Sequence, residues 1–219
     1  MRTYGQYCAL ARGLDLVGYR WTLLIVRELL SLGECRYVDL QRGLPDVATN
    51  LLASRLRDME EAGLVQRSRL PRPTNAVVFS LTERGAALEG IVREFVKWGA
   101  PLMSPPTLDE SFRAHWLLLP LRALCRDNDP GAGRQVVRVG TVDDGCDITA
   151  DEGIVLITPS SPDVRPDAVV AGDPGAMVAL FAGQMPVDAA SKAHLITGDL
   201  AAVRRIIGGM PATVAETAA

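Results

Sequence analysis

The sequence predicts an α+β chain built as two domains. Three observations carry that prediction. Apolar residues recur at helical spacing through the first sixty or so positions. Two short apolar runs bounded by turn residues follow. A stretch with three prolines near residue 100 then separates this part from a second one in which strands and helices mix. A length of 219 residues suits two domains of about 100 each. The parts also differ in charge. Residues 1–104 hold 14 Lys/Arg against 11 Asp/Glu, and residues 105–219 hold 9 against 15. A basic module followed by an acidic one fits a first part that meets a polyanion and a second that does not.

In the first part, Leu10, Leu14, Val17, Trp21 and Leu24 fall in helical steps of three and four. Gly18 divides this run into two helices, and Gly33 caps the second. A short helix covers Arg36–Gln41 and stops at Gly43–Leu44–Pro45–Asp46, because proline forces its predecessor out of the helical region. A third helix runs from about Ala48 to Ala62, with Leu52, Leu56 and Met59 as its buried stripe. Strands are expected over Val65–Leu70 and Ala76–Leu81, with Val77, Phe79 and Leu81 on one face and Pro71–Asn75 as a protruding loop. Thr82 then caps one helix with apolar positions Leu88, Ile91, Phe95 and Trp98.

Helix, short helix, tight turn, helix, β-hairpin and helix is the order of a winged helix-turn-helix. In such a motif the second helix enters the major groove and its N-terminal residues meet base edges. That assigns Ala48, Thr49, Asn50, Ser54, Arg55 and Arg57 to a DNA face, with Arg36 on the preceding helix, Arg67 and Arg69 on the wing strand, and Arg72 and Asn75 at the wing tip. The partner is double-stranded DNA.

After the linker, expected at 100–108, a helix from Glu110 to about Arg126 is predicted to bend at Pro120. Strands follow at Gln135–Val139, Cys146–Ala150, Ile154–Thr158, Ala168–Ala171 and His194–Thr197. Asp173–Pro174 opens one helix and Asp199 another, by N-cap chemistry. Cys8, Cys35, Cys125 and Cys146 show no metal spacing and read as reduced thiols, so neither a metal nor a cofactor is expected. Gly131–Ala132–Gly133 precedes a strand and is no phosphate loop. With two histidines and no nucleophile–base pattern, the chain is not expected to be an enzyme. No signal organisation and no long apolar run occur, so a cytoplasmic chain without a membrane partner is expected.

Three stretches resemble the HxlR family, a branch of MarR-like winged-helix regulators. They are residues 7–29, including Tyr7–Cys8–Ala9–Leu10 and Arg20–Trp21–Thr22–Leu23–Leu24, then Arg36–Tyr37–Val38–Asp39–Leu40, then residues 50–65 from Asn50–Leu51–Leu52 to Gly63–Leu64–Val65. Tyr37–Val38 stands where the family often has Phe–Ser, and Met59 where Leu is common. The resemblance implies a DNA-binding regulator, read as a repressor, acting as a homodimer on a pseudo-palindromic operator. Its dimer surface then falls on Leu10, Leu14, Leu88, Ile91, Phe95 and Trp98. Cys8 lies where some members keep a redox- or electrophile-sensing cysteine, with Arg12 one turn on; a small residue packed at the dimer interface is the other reading.

Residues 166–183 and 195–203 resemble the sterol carrier protein type 2-like fold, in which a curved sheet and helices enclose an apolar tunnel. The expected domains are 1–99 for DNA binding and dimerisation, and 109–219 for sensing a hydrophobic small molecule. Trp116, Met177 and Phe181 are the candidate ligand contacts, or else simply core. A lipid carrier whose winged helix mediates protein contacts is the alternative. His115 reads as core and Asp143–Asp144–Gly145 as a hairpin turn.

Overall fold

A computed structural model describes residues 3–103 and 110–207. The chain divides into two units, Met1–Met103 and Ser104–Ala219. Of the expected linker, residues 104–108 lie outside the described residues, as do 208–219 of the expected second domain. Residues 100–102 form no loose linker: they extend the preceding helix as a turn of 3₁₀-helix.

In the first unit, α1 (Ala9–Val17) and α2 (Thr22–Leu32) part at Gly18 as expected. Gly33 ends α2 at φ 73°, a conformation that glycine alone adopts without strain. A two-residue strand, β1 (Cys35–Arg36), was not legible in the sequence and leads into α3 (Tyr37–Gly43). α4 (Thr49–Glu61) buries Leu52, Leu56 and Met59, and Ile25 and Leu29 of α2 and Leu40 of α3 are buried core residues of the same unit. Glu28 is buried on α2, and Arg27 compensates it with Nε and Nη2 donating at 3.0 and 2.6 Å.

β2 (Val65–Arg69) and β3 (Val77–Leu81) complete an antiparallel sheet in the order β1-β3-β2. The expected alternation of β3 needs correction. Val78 and Phe79 are both buried, whereas Val77 is exposed. β3 is the central strand and α2, α3 and α5 pack against it, so its burial follows those helices and not a strict alternation. The expected single helix after Thr82 is two: α5 (Glu83–Ala86) and α6 (Glu89–Gly99). Thr82 does cap the first, its Oγ1 accepting from the Gly85 N–H at 3.1 Å. Gly85 is required there because a Cβ would sit 2.0 Å from the Leu64 carbonyl oxygen.

The second unit opens differently from the expected long helix. Residues 110–113 are not helical, a 3₁₀ turn spans Ala114–Leu117, and α7 covers Leu118–Leu124. Pro120 falls in the first turn of α7, where a missing N–H breaks no helical bond, so it produces no bend. Asp144 anchors this start. Its carboxylate accepts from the backbone N–H groups of Ala114 and His115 and lies 2.7 Å from His115 Nδ1. Burial pushes the Asp144 carboxyl up, but those hydrogen bonds outweigh it, and its pKa falls.

β4 (Gln135–Gly140), β5 (Gly145–Asp151) and β6 (Ile154–Pro159) form an antiparallel meander. The chain then crosses to β7 (Ala168–Val170), parallel to β4, and continues through α8 (Pro174–Phe181), α9 (Val187–Lys192), β8 (Ile196–Gly198) and α10 (Leu200–Ile206). The sheet order is β6-β5-β4-β7-β8. Asp173 and Asp199 cap α8 and α10 as the sequence implied, accepting from Ala176 and Ala201 N–H. The crossover is tied down by a buried cross-strand pair. Arg138 donates to Asp147 from Nε and Nη2 at 2.7 and 2.9 Å, and Nη2 also reaches the carbonyls of Ser161 and Val164. A second buried pair joins the ends of the unit: Arg205 donates bidentately to Asp127, holding that carboxyl well below the usual carboxylate range. No helix among the described residues is long and apolar enough to cross a membrane.

Candidate nucleic-acid interface

α4 presents its polar side because its apolar side is anchored. With Leu52, Leu56 and Met59 buried, the helical period leaves Ala48, Thr49, Asn50 and Arg57 exposed. Ser54 is half-buried beside them. α3 braces the start of α4 by two bonds: Tyr37 Oη donates to the Thr49 carbonyl at 2.7 Å, and Gln41 Nε2 donates to Thr49 Oγ1 at 3.0 Å. These bracing residues were missed from sequence. Their signal is the i,i+4 spacing that puts both on one face of α3.

Arg55 stands apart from the residues grouped with it. Its guanidinium pairs with Asp58 at 3.1 Å and stacks over the Tyr19 ring at 4.4 Å, leaving the side chain largely covered. Arg55 therefore holds α4 to the residues before α2. Arg36 is exposed at the start of α3, where its backbone N–H donates to Asp39. On the wing, Arg67 and Arg69 are exposed on one face of β2, and Arg67 lies 3.5 Å from Glu60. Arg72 and Asn75 are exposed at the tip, with Asn75 at φ 45°. Arg36, Arg57, Arg69 and Arg72 form no ion pair among the described residues. The unit thus offers short polar groups on a helix, flanked by four guanidinium groups without an ion pair among the described residues.

The helices α1 and α6 carry exposed apolar side chains. Leu10 (70% exposed), Leu14, Ile91, Phe95 (57%) and Trp98 (71%) all reach solvent, and Leu88 is half-buried. Phe95 and Trp98 meet edge to face with centroids 6.2 Å apart. Cys8 is exposed at the N-cap of α1. Cys35, Cys125 and Cys146 are buried, and that burial pushes each thiol up to about 12.

In the second unit Met177 and Phe181 are buried on α8, while Trp116 is half-buried with its ring near Phe112 and His115. None of the three borders the 460 Å³ cleft that opens between β6 and residues 122–127.

Comparison with known proteins finds sequence relatives of the first unit among helix-turn-helix regulators. The profile of the family described as HxlR-like helix-turn-helix matches residues 16–106. The HTH-type transcriptional regulator YvaP of Bacillus subtilis (strain 168) is 34% identical over 98 residues, covering 45% of this chain and 90% of YvaP. YodB, an HTH-type transcriptional regulator of the same organism, is 32% identical over 91 residues, covering 42% of this chain and 80% of YodB. The structure of the reduced form of YodB aligns at 29% identity with a TM-score of 0.40, covering 47% of this chain and all of that one.

Proposed function

Since the chain belongs to the HxlR-like helix-turn-helix family of transcriptional regulators, we propose that it is a repressor that binds a pseudo-palindromic operator as a homodimer. The observation that carries this reading is the exposed row Ala48, Thr49, Asn50 and Arg57 on a helix whose opposite side is locked in the core. Thr49 and Asn50 sit at its N-terminal end, the part that meets base edges in this motif. Arg36, Arg57, Arg69 and Arg72 supply the phosphate contacts that fix register. The apolar stripe Leu10, Leu14, Ile91, Phe95 and Trp98 supports dimerisation, since burying it against a symmetry mate removes a large apolar area from water. Two protomers then read half-sites about one helical turn apart.

For the second unit the reading is a sterol carrier protein type 2-like domain that senses a hydrophobic small molecule. Its support is the five-stranded mixed sheet and the inward-facing Met177, Leu180 and Phe181 on α8. A ligand that prefers one dimer geometry changes operator affinity by the difference in its affinity for the two states. Native mass spectrometry of the purified chain tests dimer and ligand together: a dimer carrying a co-purifying apolar molecule supports the reading, and a ligand-free monomer removes it. A second reading makes Cys8 a redox or electrophile sensor, favoured by its exposure at the start of α1. Replacement Cys8→Ser is expected to abolish an oxidant-induced loss of operator binding; an unchanged response eliminates that reading.

A further inference from the structure

The two edges of the five-stranded sheet differ in character. β8 is three residues long and ends on Gly198 at φ 93°, so it offers little to pair with. β6 is longer and rich in β-branched and apolar residues. Its register with β5 runs without a bulge, no charged residue lies within it, and its one proline stands at its end. From Ile154 to Thr158 the strand thus lacks the bulge, the charged residue and the internal proline that often blunt an edge, although α7 packs beside it.

Register decides which main-chain groups of β6 are free. The Ser160 N–H donates to the Gly145 carbonyl at 3.2 Å. Counting back by twos along the pairs Asp147↔Thr158, Thr149↔Leu156 and Asp151↔Ile154 turns the N–H and C=O groups of residues 154, 156 and 158 toward β5. Val155 and Ile157 turn theirs outward. Arg122 Nη2, reaching the Ile157 carbonyl at 3.5 Å from outside the sheet, agrees with this count.

Beyond that edge lies the open 460 Å³ cleft, walled by β6 and the stretch from Arg122 to Asp127. Arg122 and Arg126 are exposed there, and neither is ion-paired among the described residues. The carboxylate in the wall, Asp127, is already committed to Arg205 and to the N–H groups of Asp129 and Gly153. Leu156, 60% exposed, adds an apolar platform beside the edge. Outward strand groups, of which only the Ile157 carbonyl meets a side chain, Arg122, thus coincide with two guanidinium groups that form no ion pair among the described residues.

We propose that the free edge of β6 is a docking site for an extended acidic peptide segment of a partner protein, which adds to the sheet as a sixth strand. Main-chain bonds to Val155 and to the Ile157 N–H would hold the segment, and Arg126, with Arg122 turning from the Ile157 carbonyl, would select for acidic side chains. A second copy of this chain is a poor occupant, because pairing edge to edge would bring both pairs of guanidinium groups together. This inference concerns the second unit alone and stands apart from DNA binding.

The test uses the full chain and two labelled heptapeptides, one alternating glutamate with valine and the other lysine with valine. Fluorescence anisotropy reads binding, and amide exchange followed by NMR reads its place. The glutamate peptide is expected to bind at least about tenfold more tightly than the lysine peptide, since like charges at a docked edge are penalised. It should also slow exchange at Val155 and Ile157. Arg122→Glu combined with Arg126→Glu, both on the surface, should reverse the preference. Equal affinity of the two peptides, no saturable binding of the acidic one, or binding that leaves those two amides unprotected overturns the proposal. So does protection without peptide that grows with protein concentration, which would mean that the edge pairs with a second copy.

Discussion

Removing Arg69 and Arg72 together should change the salt dependence of operator binding by an amount that the structure sets. Arg36, Arg57, Arg69 and Arg72 are exposed guanidinium groups without ion pairs among the described residues, whereas Arg55 is held by Asp58 and Tyr19. Four such groups per protomer give about eight phosphate contacts in a dimer, and about −0.9 per contact gives a slope of log K on log salt near −7. Affinity should then fall by about 10⁴ between roughly 50 and 200 mM salt. Arg69→Ala with Arg72→Ala leaves about four contacts, a slope near −4 and a fall of only about 10² over the same range. Arg55→Ala should leave the slope unchanged. Fluorescence anisotropy on a labelled promoter fragment across a salt series measures all three. A double variant with the parental slope, or an Arg55→Ala protein whose slope drops like the double variant's, refutes the assignment of which arginines face the phosphates.

Four further outcomes follow from the packing and the electrostatics. Gly85→Ala should lower stability by about 1–3 kcal/mol or more in urea unfolding, because the added Cβ meets the backbone oxygen of Leu64 and cannot push it aside. Leu118→Ala, at a fully buried position, should cost about 2–5 kcal/mol by the same measurement. Asp127 has a depressed pKa in the folded chain, through the Arg205 hydrogen bonds first. Its stabilisation is therefore complete above the unfolded carboxylate value of about 3.9 and is lost as pH falls below it, so Asp127→Asn should flatten urea midpoints measured downward from about pH 4. Of the four thiols, Cys8 alone should react rapidly with a chromogenic disulfide at pH 8, and the three buried ones only in denaturant.

Legibility from sequence followed the range of the determining interaction. α4 was readable because everything that defines it is local: Pro45 before it, the Leu52–Leu56–Met59 spacing within it and Gly63 after it. The caps at Thr82, Asp173 and Asp199 were readable for the same reason. β1 was not, since two residues carry no period and its pairing partners, Val78 and Phe79, lie over forty positions away. The faces of β3 were misread because its burial depends on α2, α3 and α5 packed against it, which its own alternation does not reveal. The break between α5 and α6 has no sequence marker at Ala87–Leu88. Within the proposed DNA face, the exposure of Asn50 and Arg57 was legible from helix period alone. The inward turn of Arg55 was not, because Tyr19 belongs to another element. In the second unit, the spacing that marks Met177 and Phe181 as apolar cannot tell a cavity lining from a filled core, and both are buried.

The most direct measurement is hydroxyl-radical footprinting of the chain on its own promoter, with Asn50→Ala and Arg57→Ala combined as the comparison. Two protected patches about one helical turn apart are expected for the parent, and none for the double variant at equal concentration and unchanged circular dichroism. Identical protection by both proteins would mean that α4 does not enter the groove.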